Sequence, residues 1–112
     1  MTQPIFHIAT RAEWEAAQRD GAYTTSTRGR TLAEEGFIHA SRPEQVQPVL
    51  DRYYADADEP LVLLVIDPDL GAEPVRVEPV GDDTYPHVYG PIEPAAVVEV
   101  RPLDATGRWA RP

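Results

Sequence analysis

The sequence predicts a single α+β domain with a mostly antiparallel sheet and two main helices. Three observations carry this. Helical patterns crowd residues 10–53, and strand patterns follow from residue 61 onward. Segregation of that kind indicates α+β rather than a doubly wound sheet. Leu61–Ile66 is an unbroken apolar run of strand length, which suits a central strand buried on both faces. At 112 residues, the chain has room for one core and no second.

Ile5–Ala9 is short, apolar and partly β-branched, and reads as the first strand. Thr10 and Glu13 have capping-box spacing, so a helix is expected over Arg11–Asp20. Trp14 and Ala17 supply its apolar stripe, and Gly21 closes it. Residues 22–30 are polar without a period and read as loop. Thr31–Glu35 reads as one helical turn ended by Gly36, and Phe37–Ala40 as a second strand. Ser41 and Glu44 repeat the capping-box spacing, with Pro43 in the first turn. Val46, Val49, Leu50 and Tyr53 then mark a helical face. Pro48 conflicts with a continuous helix, so either the first turn is separate or the helix bends.

An acidic connector, Ala55–Pro60, leads to the central run. Asp67, Pro68, Asp69 and Gly71 form a turn. Val75–Val80 alternates and reads as a half-buried strand, followed by a turn over Gly81–Thr84. Val88–Ile92 reads as a short strand broken by Gly90 and Pro91, and Ala95–Val100 as the last strand, ended by Pro102. The domain is therefore assigned to residues 1–104. Residues 105–112 form a C-terminal tail in which Trp109 is the side chain suited to docking.

Composition excludes several classes. There are no cysteines, so disulfides, zinc thiolate sites and thiol nucleophiles are absent. No signal peptide is legible, and no apolar run approaches the ~20 residues needed to cross a bilayer. A cytoplasmic protein without membrane contact is expected. The net charge is −9, and every cation is an arginine. Residues 1–52 are near neutral and the remainder carries most of the acid, a balance unsuited to binding nucleic acid. Arg11, Arg28, Arg30 and Arg42 in the first half suit a small phosphorylated ligand.

Histidine is scarce, and its contexts are informative. His7, His39 and His87 each lie among apolar or aromatic neighbours. An imidazole there must satisfy a donor and an acceptor, and it titrates near neutral pH. His7 and His39 each precede a predicted helix cap, Thr10 and Ser41. Such junctions gather backbone N–H groups and suit an anion. One reading brings the three rings to one cleft; another makes each a hydrogen-bonded structural residue. A catalytic metal is a weaker alternative, because separations of 32 and 48 residues contain no local ligand spacing. Gln45 lies one turn into the second helix, where its amide either points toward the cleft or is simply exposed.

The segments IFHIAT with Trp14, EGFIHAS with Gln45, LVLLVIDP and YPHVYGPI resemble the signature blocks of Domain of Unknown Function family 952. They occur in order over residues 5–103. The resemblance implies an ADP-ribosyltransferase-like fold, a split antiparallel sheet around an NAD cleft. It implies that His7 binds the nicotinamide ribose and that Tyr23, Tyr85 or Tyr89 stacks on a ring. It also implies that Glu78 or His87 handles charge or protons in ADP-ribosyl transfer or NAD glycosidic cleavage, with NAD as cofactor. His39 and His87 have no counterpart in the histidine–tyrosine–glutamate pattern of those transferases. On an alternating strand, Glu78 shares the face of Arg76, which reads most simply as solvent-facing. A second function remains open: a sensor or binding module that holds the same small nucleotide-like ligand without turnover.

Overall fold

A computed structural model describes residues 3–103, and the predicted tail with Trp109 lies outside them. The element order is β1 (Ile5–Thr10), α1 (Arg11–Asp20), β2 (Thr25–Thr27), β3 (Arg30–Thr31), α2 (Leu32–Glu35), β4 (Ile38–His39), α3 (Val46–Tyr53), β5 (Leu61–Ile66), β6 (Val75–Val80), β7 (Asp83–Val88) and β8 (Val97–Pro102). Single 3-10 turns lie at Pro43–Gln45, Pro68–Leu70 and Pro94–Ala96.

The strands form two three-stranded sheets, β1-β5-β8 and β4-β7-β6, and a β2-β3 ribbon. Every named pairing is antiparallel. The α+β class and the antiparallel sheet are as predicted. So is the central place of Leu61–Ile66, which is buried along its whole length. The two main sheets meet where Phe6 of β1 exchanges backbone hydrogen bonds with Ser41, at 2.9 and 2.7 Å.

Alternation along β1 and β5 divides the core. Ile5, Ala9, Val62, Leu64 and Ile66 face α1 and the second sheet, joining Trp14, Tyr23, Ile38 and Val88. Phe6, Ile8, Leu61, Leu63 and Val65 face α3, joining Val46, Leu50 and Tyr54. The first helix begins as predicted. Thr10 Oγ1 accepts from the Glu13 N–H, and Glu13 returns a carboxylate oxygen to the Thr10 N–H. Thr10→Ala is expected to cost about 1 kcal/mol. An unchanged urea midpoint would show that this cap contributes nothing net.

Four expectations need correction. The loop at residues 22–30 contains the β2-β3 ribbon, paired with an irregular register that carries no clear sequence period. Ser41 is not a helix cap. Gln45 Oε1 accepts from the Arg42 N–H instead, closing a separate 3-10 turn. Pro48 is therefore third in α3, where its missing N–H has no intrahelical partner to lose. The turn after β6 is only Gly81 and Asp82, with Val80 opposite Asp83. Gly81 has φ 62 while Asp82 does not, the pattern of a type II′ hairpin. β7 thus covers Asp83–Val88, so of the predicted strand at Val88–Ile92 only Val88 lies in a strand, as the last residue of β7, and Ile92 makes a single bridge to Tyr23. Finally, the last strand is Val97–Pro102 rather than Ala95–Val100: Ala95 and Ala96 belong to the preceding 3-10 turn, and Pro102 is the strand's final residue. Leu103 N–H reaches Leu61 O, so alternation turns the imino side of Pro102 away from β5.

Candidate functional site

A cleft of about 560 Å³ opens beside the β1 edge, between β4, the β2-β3 ribbon, α2 and α3. His7 and His39 line it, with Ser41, Arg30, Glu35, Arg52, Tyr53, Tyr54 and Tyr85. Each is positioned by a local cause. His7 is on β1, turned toward the second sheet. Its Nδ1 donates to His39 O at 2.5 Å, and its Nε2 accepts from the Tyr23 hydroxyl at 2.9 Å. The carbonyl fixes the tautomer, because it can only accept. Burial pushes the His7 pKa down to about 4, against the backbone hydrogen bond, so the ring is neutral at pH 7.

His39 ends the two-residue β4 and is half-buried. Its Nε2 lies 3.4 Å from the Glu35 carboxylate, which α2 presents one turn away. Burial lowers its pKa first, Glu35 opposes this, and His87 adds to the lowering. Glu35 also holds Arg30 at 3.1 Å. Arg52, on α3, lies 6.0 Å over the Tyr53 ring and has no ion pair among the described residues. Phe6 directs its backbone groups outward to Ser41, so ladder alternation also points the Ile8 N–H and C=O outward, toward the cleft. The Tyr54 hydroxyl makes a long 3.5 Å contact to that Ile8 carbonyl.

The structure brings together His7, His39, Ser41 and Tyr85 from the residues expected to form the site. It places the others elsewhere. Thr10 is engaged in its cap. Tyr23 lies behind His7, fully buried, with its hydroxyl pKa driven up by burial. Gln45 is buried, and its amide donates to Asp83 at 3.0 Å and to Thr84 O at 2.8 Å, fastening the β6-β7 hairpin. Arg42 holds the same hairpin, and Arg28 is bound to Asp56 at 2.5 Å.

His87, Glu78 and Tyr89 form a second cluster. His87 Nδ1 is 2.8 Å from Glu78 Oε1, which also accepts from the Tyr89 hydroxyl. Glu78 is therefore not a plain solvent-face residue: hydrogen bonds from Tyr89, then His87, hold its carboxyl below the usual range. The His87 ring stacks on Phe37 with centroids 4.1 Å apart and meets His39 edge-on at 5.0 Å. Two of the three imidazoles thus reach the cleft, and the third backs one of them. Among the described residues, no group of three or more histidines and carboxylates is arranged to hold a metal.

Sequence reasoning missed Glu35, Arg52, Tyr53 and Tyr54 as lining residues. Glu35 is four residues before His39, but the intervening Gly36 conceals that the two side chains meet. Arg52 and Tyr53 lie on α3, where the apolar face of Val46, Val49 and Leu50 drew the reading toward core.

Residues 8–100 match a family model described as protein of unknown function, DUF952. The crystal structure of protein CC0527 from Caulobacter crescentus is 32% identical, with TM-score 0.77, covering 94% of this chain and 91% of that one. A crystal structure of a double mutant of CC0527 is 31% identical, with TM-score 0.78 and the same coverage. The solution NMR structure of CC0527 is 29% identical, with TM-score 0.68, covering 95% and 90%. No curated protein matches the chain.

Proposed function

The chain belongs to the DUF952 family of proteins of unknown function, and we propose that its cleft binds a small nucleotide-type ligand of the NAD kind. One observation carries this reading. A single opening combines two imidazoles, two arginines, three tyrosines and an outward β-edge amide. Concave sites with a few convergent polar groups are where small molecules bind. Arg52 suits a phosphate, a tyrosine suits a flat ring, and His39 with Glu35 suits sugar hydroxyls. The split of the sheet at Phe6 and Ser41 supports the ADP-ribosyltransferase-like architecture, and the β1 position of His7 supports a ribose contact.

Binding without turnover is the form this geometry favours, because Glu78 is turned toward His87 and Tyr89 and does not line the cleft. In the transferase form, Glu35 is the carboxylate placed to steady a developing oxocarbenium ion. Calorimetry with NAD and ADP-ribose tests the proposal. Saturable binding is expected, weakened about tenfold or more by Arg52→Ala, as for loss of one charged hydrogen bond. Absence of binding by both ligands would overturn it. Nicotinamide release abolished by Glu35→Gln would select the transferase form.

A further inference from the structure

β6 is an outer strand of its sheet, and its geometry is self-complementary. Tyr89 N–H bonds to Pro74 O, and Val80 faces Asp83 across a two-residue turn. Residues 74, 76, 78 and 80 therefore direct their backbone groups to β7, and residues 75, 77 and 79 direct theirs outward. Val77 is 65% exposed.

We propose that β6 pairs antiparallel with β6 of a second copy of this chain, about a two-fold axis at Val77. In that register, Val77 faces Val77 and exchanges both backbone bonds. The Val75 N–H meets the partner's Pro79 carbonyl, while the Val75 carbonyl gains no donor there because proline has no N–H. Arg76 falls opposite Glu78 on both sides. Those charges are available. Among the described residues, Arg76 makes no close ion pair: its guanidinium lies 5.4 Å over the Tyr89 ring and its charge acts on Glu78 of the same strand from a distance. Glu78 uses Oε1 for both of its hydrogen bonds and leaves Oε2 free. An isologous contact of this kind closes as a dimer and joins the two three-stranded sheets into one. Val75, Val77 and Pro86 also line an apolar groove beside the axis, which the pairing extends into the partner.

β8 is the competing edge, with Val98 56% exposed and a similar valine-and-charge pattern. Two features set it apart. Its register shifts between Val65 and Ile66, a bulge that disrupts an open edge, whereas the β6-β7 ladder runs without one. Its charges, Glu99 and Arg101, already pair with each other at 2.5 Å.

Light scattering on the full chain is expected to give twice the 12.4 kDa chain mass at high concentration. Val77→Pro removes only outward donors, so it is expected to give monomer with an unchanged circular dichroism spectrum. Arg76→Glu sets carboxylates opposite each other and is expected to weaken the dimer about tenfold. Because the chain has no cysteine, Val77→Cys offers a second readout. Hydrogen-bonded antiparallel pairs place Cα atoms roughly 5.5 Å apart, within disulfide range, so mild oxidation should crosslink it. Val98→Cys should stay monomeric. A monomeric parent up to about 1 mM, or crosslinking through Val98→Cys and not Val77→Cys, would overturn the proposal.

Discussion

Leu63→Ala is expected to destabilise the domain by about 3 kcal/mol, within the usual range for truncating a fully buried leucine. Leu63 has no solvent exposure and lies mid-strand in β5, with Ile8 opposite it on β1 and Arg101 on β8. It packs with Val46, Leu50 and Tyr54, so it couples α3 to the sheet. Rotation of the rigid sheet into the space is blocked by strands on both sides, so a cavity remains and the cost exceeds simple transfer from water. Leu70→Ala is the control: that side chain is 53% exposed, and a change within about 0.5 kcal/mol is expected. Urea midpoints measure both. Equal midpoints would mean that α3 is loosely seated, and the cleft wall carrying Arg52 and Tyr53 would be loose with it.

The same residues show what the sequence could and could not convey. β5 was legible because a two-sided buried strand needs apolar residues at every position, and Leu61–Ile66 supplies six. α1 was legible because its cap and its Gly21 terminus are local. β7 was mostly missed because Gly81–Thr84 reads as turn and the next strand as starting at Val88, and Pro86 between them carries no strand signal. In the structure Ala40 N–H bonds to the Pro86 carbonyl, so alternation directs the missing Pro86 N–H toward β4, at the last pairs of a two-residue strand. The cleft was half legible. His7 and His39 stood out by their apolar contexts, but whether an arginine is paired is a long-range fact. Arg28 and Arg42 read like Arg52 in sequence, and only the fold shows that Asp56 and Asp83 engage the first two. Glu78 was legible as a late-strand carboxylate, yet the strand period could not show the His87 and Tyr89 donors that hold it. Those donors come from β7 and the residue after it, whose register depends on the Gly81 turn.

Acidification from pH 7 toward 4.5 is expected to destabilise the protein through His7. The sign follows from its partners. In the folded state the ring is buried and neutral, with a pKa near 4, while an unfolded histidine titrates near 6.5. Protons therefore bind the unfolded chain first as pH falls. The contribution is complete above about pH 6.5 and is lost progressively toward the folded pKa, reaching an order of 3 kcal/mol. His39, also lowered, adds a smaller loss of the same sign. The carboxylates held low, Glu78 and Asp83 among them, lose their contributions at lower pH, so the window from 6.5 to 5 reports on His7 and His39. His7→Gln removes the titrating group and retains an amide to meet His39 O or the Tyr23 hydroxyl. It is expected to be less stable than the parent at pH 7 and to show a flatter decline between pH 6.5 and 5. Parallel declines would mean that His7 is protonated in the folded state, and a charged ring beside Tyr23 would then alter the ligand chemistry the cleft can support.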